Sequence, residues 1–179
     1  MKVYFISPFA TDKNLGQAYN QSIALISEND WICLMDQDAM FLTPDAGQII
    51  HEYVKRNNVE ALFTCWTNRI HPLAQGQLYN NEVSVNSDIK HHIKIAENQK
   101  KELYSLTQIH CNISGFLMLI SKRLWNKYKF SENGQCLGID TEYSKCMREN
   151  NIPIYRMEGL YVWHTYRLMN GITDKRHLL

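Results

Sequence analysis

Asp36-Gln37-Asp38 closes the apolar run Trp31-Ile32-Cys33-Leu34-Met35. Five apolar residues between polar neighbours predict a buried strand. Side chains alternate along extended chain, so Asp36 and Asp38 fall on one side and Gln37 on the other. Paired carboxylates at a strand end stand where α/β proteins hold their ligands. Hard oxygen donors suit Mg²⁺ or Mn²⁺, cations that commonly bridge a protein to substrate phosphates. The plain alternative is a solvated turn, so the pair needs partners elsewhere in the chain.

Three further groups stand at the ends of apolar elements. Gly138-Ile139-Asp140-Thr141-Glu142 puts two carboxylates in the first turn of a helix, where acids also cap it and complement its dipole. Asp140 is the stronger candidate for chemistry, because Gly134 and Gly138 let the loop approach a ligand closely. Glu142, with its longer side chain, is the reserve. His164 follows Tyr161-Val162-Trp163 and is either structural or a third ligand for Mn²⁺ beside the carboxylates. Asn14-Leu15-Gly16-Gln17 with Asn20 starts a helix facing the same sheet edge, where free backbone N–H groups attract phosphate. Plain capping is the competing reading there.

The elements that must position these residues are legible in outline. Val3 to Ser7 reads as a strand stopped by Pro8. Asn14 caps a helix from about Leu15 whose Tyr19, Ile23 and Ile26 share one face. Thr43-Pro44-Asp45 starts a second helix, with Thr43 as cap and Ile49, Ile50, Tyr53 and Val54 as its stripe, ended by Asn57-Asn58. Val59 to Cys65 is the next strand, so strand–helix–strand–helix–strand predicts an α/β layer with parallel strands. After residue 110 come a strand at Phe116 to Ile120 and a helix from Ser121 to about Lys129. A helix near Asp140 with Tyr143, Cys146 and Met147 inside and two short strands, Ile152 to Tyr155 and Leu160 to Trp163, complete the core. Between Trp66 and His110 the periodicity dissolves. Residues 76–81 read as loop, and Asp88 to Leu106 as a polar helix with a solvated face of Lys90, His91, His92, Lys94, Lys100 and Lys101. A long excursion predicts a lid or binding loop. Its aromatics Trp66, Tyr79 and Tyr104 suit ring stacking, with Arg69 and His71, just beyond the Val59–Cys65 strand, in reach of a bound ligand.

Composition narrows the partners. The 179 residues predict one domain over 1–179, and a net charge of +1 supplies no field to recruit nucleic acid or a membrane surface. No run approaches a membrane span, and the N-terminal apolar stretch is too short for a signal segment. The 5 cysteines, at 33, 65, 111, 136 and 146, form no Cys-x-x-Cys pair, which predicts a reduced, cytoplasmic chain with neither disulfide framework nor zinc site.

Together these spacings resemble the GT-A glycosyltransferases, particularly the family-2-like inverting enzymes. The resemblance runs over about residues 3 to 165. It is carried by Asn14-Leu15-Gly16 with Asn20, Asp36-Gln37-Asp38, Ser114-Gly115-Phe116, Ile139-Asp140 and His164, in that order. It implies a Rossmann-like, mostly parallel sheet flanked by helices, with residues 66–110 as an insertion. It also implies metal-dependent transfer of a sugar, with inversion, from a nucleotide-sugar donor, a UDP-sugar foremost, to a carbohydrate or other hydroxyl acceptor. Asp36, Asp38 and His164 would hold Mn²⁺ or Mg²⁺, and Asp140 would be the base with Glu142 behind it. Asn14, Gly16, Gln17, Asn20 and Asp36 would bind the donor. The chain differs from the family in having Ile139 where Glu is usual and Tyr19 where Arg is usual. The βα unit that normally brings a base-binding Asp is reduced to Ala10-Thr11-Asp12. Two other functions use the same residues: metal-dependent nucleotidyl transfer, for which no Walker-type glycine loop is present, and sugar or nucleotide binding without catalysis.

Overall fold

The structure is a computed structural model that describes residues 1–57, 59–134 and 137–166. The helix stop read at Asn58, the thiol of Cys136 and the end of the 1–179 domain lie outside the described residues. One sheet of 7 strands organises the described residues. They are β1 (Val3–Ile6), β2 (Trp31–Met35), β3 (Ala39–Phe41), β4 (Leu62–Thr67), β5 (Leu106–Ile109), β6 (Leu117–Ser121) and β7 (Ile154–His164). Their order is β1-β2-β6-β4-β7, with β5 and β3 sharing the outer edge of β7.

The sheet is mixed where a mostly parallel one was expected. The β1–β2 and β4–β7 pairs are parallel, whereas β2–β6, β4–β6, β3–β7 and β5–β7 are antiparallel. Every residue of β6 is buried, so its Leu-Met-Leu-Ile run is apolar on both faces. Such a run looks the same in either direction, which is why pattern alone suggested parallel pairing. β1, β2, β4 and β7 nevertheless point the same way and bring their carboxyl ends to one edge.

Alternation along the strands builds a core on each face. Trp31 and Cys33 of β2 point towards α2 (Ala46–Arg56), with Ile49, Ile50 and Tyr53. Ile32 and Leu34 point the other way, towards α1 (Leu15–Ala24), α4 (Lys122–Lys127) and α5 (Ile139–Glu149), meeting Tyr19, Ile23, Trp125 and Tyr143. Each large side chain so buried stabilises the fold by about 1.5–3 kcal/mol. Asn14 caps α1 as expected, its Oδ1 accepting from Gln17 N at 3.2 Å. The cap position of α2 is Asp45 and not Thr43, and its carboxylate turns away from the helix to pair with Lys100 Nζ at 2.8 Å.

Two expectations fail for packing reasons. The two short C-terminal strands are one 11-residue strand. Cys65 pairs with Met157 and Trp66 with Tyr161, so Glu158-Gly159-Leu160 form a bulge. That polar interruption reads in sequence as a break. The second failure is the lid at 66–110, much of which is packed. Arg69, Ile70, Gln77, Ser84 and His92 are inaccessible. The helix there, α3 (Ile89–Gln99), buries His92, Ile95 and Ala96 where a solvated helix reaching Leu106 was expected. Trp66 and Tyr79 lie edge to face beside Tyr161, and Tyr104 sits against Tyr53 beneath the Arg56 guanidinium, so all three aromatics are half-buried and engaged with other side chains.

Gly16 has a packing role as well. A methyl group there would overlap the Ser131 carbonyl oxygen, because the loop at 130–132 lies directly on α1. Gly16→Ala is expected to destabilise the fold by about 1–3 kcal/mol or more through overpacking. Urea unfolding checks this, and an unchanged midpoint would return Gly16 to the ligand reading.

Candidate metal centre and cleft

The shared carboxyl edge assembles the site. Asp36 leaves β2 with its backbone N donating to Phe116 O at 3.2 Å. A turn closed by Ala39 N to Asp36 O at 3.1 Å then sends β3 back along β7, so that Ala39 pairs with His164. This reversal brings Asp38 to the histidine: His164 Nε2 lies 3.3 Å from Asp38 Oδ1. Asp36, Asp38 and His164 each offer a ligand atom within 4.8 Å of the others. The three expected metal ligands therefore converge.

His164 is held to one role. Its side chain is 2% exposed, and its ring stacks on Phe116. Nδ1 lies 2.8 Å from the Arg69 carbonyl oxygen, which can only accept, so Nδ1 carries the proton. In the neutral ring Nε2 is then a lone pair aimed at a carboxylate oxygen, two acceptors face to face. A cation between them, or a proton on Nε2, resolves the arrangement. In metal sites a ligand histidine commonly donates its other N–H to a backbone carbonyl, which fixes the ring's orientation and tautomer. Arg69 is fixed in turn, its Nε donating to Tyr166 O and its Nη1 to Ser84 O, both at 2.8 Å. Asn68 Oδ1 accepts from His164 N at 2.7 Å.

The charges favour a cation. Burial pushes the Asp36 carboxyl up to about 6; His164 opposes the rise, and Asp38 and Asp140 add to it. When His164 Nε2 also carries a proton, its hydrogen bond to Asp38 holds that carboxyl below the usual carboxylate range. Two carboxylates and an imidazole make an O₂N donor set that suits Mn²⁺, with Mg²⁺ the harder alternative.

A divalent ion must displace the Asp36 proton. Affinity for manganese is therefore expected to rise by up to about tenfold per pH unit below pH 6 and to level off above it. The linkage sign for the metal-free fold is the reverse of a paired carboxylate. The unfolded chain ionises first, so Asp36 costs stability as pH rises from about 4 through 6. Manganese titrations at pH 5, 6, 7 and 8 check the first statement, and a flat profile would contradict it.

A cleft of about 560 Å³ opens beside the triad and carries Asp140. Asp140 is not a cap. Gly138, at φ +84°, holds the cap position of α5, and Asp140 is the second helical residue. Its Oδ2 accepts from Gly115 N at 2.8 Å and its Oδ1 from Thr141 N at 2.7 Å, fixing the carboxylate against the start of β6. Glu142 is half-buried and does not line the cleft.

The expected donor-binding helix start is occupied by the protein itself. Asn14 Nδ2 donates to Glu132 O, and Asn20 is fully used. Its Nδ2 donates to Phe130 O and Glu132 Oε1, and its Oδ1 accepts from Trp125 Nε1 and Phe130 N. Gly16 admits the loop, and Gln17 does not line the cleft. α1 thus clasps residues 125–132, and its Leu15 and Tyr19 face the cavity instead. Sequence reasoning assigned Tyr19 to the core because it sits on the apolar face of α1. His71 and Ala74 are the part of the 66–110 segment that reaches the cleft, along with Leu73.

No protein-family model, curated protein or solved structure matches the chain. Among the described residues no helix is long and apolar enough to cross a membrane.

Proposed function

We propose that the chain is a metal-dependent glycosyltransferase of GT-A type, moving a sugar from a nucleoside-diphosphate-sugar to an acceptor hydroxyl. One observation carries this reading: Asp36, Asp38 and His164 converge to within 4.8 Å in a cleft that also holds Asp140. Four strands ending at that edge support it, since α/β sheets bind ligands beyond their carboxyl ends. Asp36, Asp38 and His164 would hold Mn²⁺ or Mg²⁺, which when bound neutralises charge building on the leaving diphosphate, a Lewis-acid effect worth several kcal/mol.

The remaining roles belong to the chain. Asp140 accepts the proton of the acceptor hydroxyl as its oxygen bonds to the anomeric carbon, while the bond from that carbon to the diphosphate oxygen breaks with its electron pair. Each carboxylate oxygen of Asp140 already takes one backbone N–H and keeps capacity for a further hydrogen. A base so oriented contributes about 10²–10⁴-fold. Attack opposite the leaving group inverts the anomeric centre.

The test is a panel of UDP-, GDP- and ADP-sugars, with Mn²⁺ or with chelator, read as nucleoside diphosphate release. Metal-dependent release from one donor supports the proposal. Pyrophosphate release from a nucleoside triphosphate and a sugar phosphate would replace it with nucleotidyl transfer. Binding without turnover across a broad acceptor set would replace it with a sugar-nucleotide-binding domain.

A further inference from the structure

Four tyrosines are buried among the described residues: Tyr19, Tyr53, Tyr143 and Tyr161. A buried phenol normally finds a hydrogen-bond partner, and three of these do. Tyr53 Oη accepts from Gly159 N and donates to Ser105 O, at 2.9 and 3.3 Å. Tyr143 Oη donates to Tyr128 O at 3.1 Å, and Tyr161 Oη lies 2.6 Å from His92 Nδ1. Tyr19, 3% exposed, bonds to no described residue through its hydroxyl. Its ring is held edge-on against Phe130 at 4.9 Å. It is also the one buried tyrosine of the four that lines the cleft.

Its position is specific. A second cavity of about 310 Å³, bounded by Pro8, Phe9 and Gln37, adjoins the first, and Tyr19, Asp36 and Asp38 line both. A ligand that spans the two cavities passes Tyr19 and the carboxylates together. Neither cavity is lined by a Lys or Arg among the described residues, while three carboxylates are present. An anionic ligand brought there by a cation therefore has oxygens facing a wall without fixed positive charge. Hydrogen bonding to those oxygens falls to neutral donors. Burial, with Asp36 and Asp140 nearby, raises the phenol well above its ordinary value, so it keeps its proton and can donate throughout the working pH range.

We infer that Tyr19 is a substrate-binding residue whose Oη–H donates to a phosphate oxygen of the metal-bound diphosphate. The inference rests on the nucleotide-sugar reading above. Tyr19→Phe deletes the donor and keeps the ring against Phe130. Calorimetric titration of both proteins with MnCl₂ alone, with UDP plus Mn²⁺ and with pyrophosphate plus Mn²⁺ tests it. The expected result is unchanged Mn²⁺ affinity and an affinity loss of about tenfold or more for UDP and pyrophosphate alike, as for a lost hydrogen bond to a charged group. Equal affinities in the two proteins would overturn the inference and leave the proposed function standing. A loss for UDP without one for pyrophosphate would move the contact off the phosphate and overturn it too. Wild-type protein that binds neither Mn²⁺ nor the nucleotide would overturn both.

Discussion

Asp38→Asn is expected to lower manganese affinity by at least about a hundredfold, since groups merely behind metal ligands already cost about 10–100-fold. Turnover should fall by about 10³-fold, the equivalent of the several kcal/mol a Lewis acid supplies. The substitution is clean because Asp38 is exposed in the turn between β2 and β3 and joins neither core. Its backbone bond, Thr165 N to Asp38 O at 2.9 Å, is untouched. An asparagine amide can also donate to His164 Nε2, which satisfies the histidine without any cation. The metal-free variant should therefore stay close to the wild type in stability, while losing the rise in melting temperature expected from Mn²⁺ in the wild type. Thermal melts with and without Mn²⁺ read both effects. A variant that keeps the full metal-induced rise would remove Asp38 from the site.

Asp140→Asn separates chemistry from binding. Transfer is expected to drop by about 10²-fold or more, with donor affinity little changed, because the proton acceptor is lost while the shape remains. The structure adds a second effect. Both carboxylate oxygens accept backbone N–H groups, from Gly115 and Thr141, and an amide can accept only one of them well. A modest stability loss of about 1 kcal/mol should accompany the kinetic defect. Single-turnover rates with saturating donor, alongside urea unfolding, distinguish the two. Equal turnover in variant and wild type would leave Asp140 a tether between α5 and β6.

Legibility in the sequence followed the range of the forces involved. The end of β2 and the cap at Asn14 are local, set by where an apolar run stops and by one side chain reaching three residues along. Asp36, Asp38 and His164 could be grouped because each ends an apolar run, and strand ends meet at a sheet edge. Asn20 and Gly16 were misread because their partners lie 105 or more residues away in the chain, where no local pattern announces them. The bulge in β7 was invisible for a similar reason. Glu158 is polar because it pairs with Arg156 and receives Trp66 Nε1, contacts that only the folded sheet creates. Tyr19 and Ile23 share one periodic face of α1, and periodicity cannot tell a hydroxyl in a cleft from one in a core.

Among the described residues β7 contributes to all three hydrophobic clusters: Met157 and Val162 to one, Ile154 to the second and Tyr161 to the third. It borders β4 on one side and β3 and β5 on the other. A chain emerging from the ribosome therefore holds β4 with one side unpaired, and β3 and β5 with no strand to join, until the strand ending at His164 has been made. Loop closure over such distances is slow and leaves strand edges exposed in the meantime. The residue that completes the candidate metal triad is thus also the last of the strand that completes the described sheet, so the three candidate ligands cannot meet before that strand has paired.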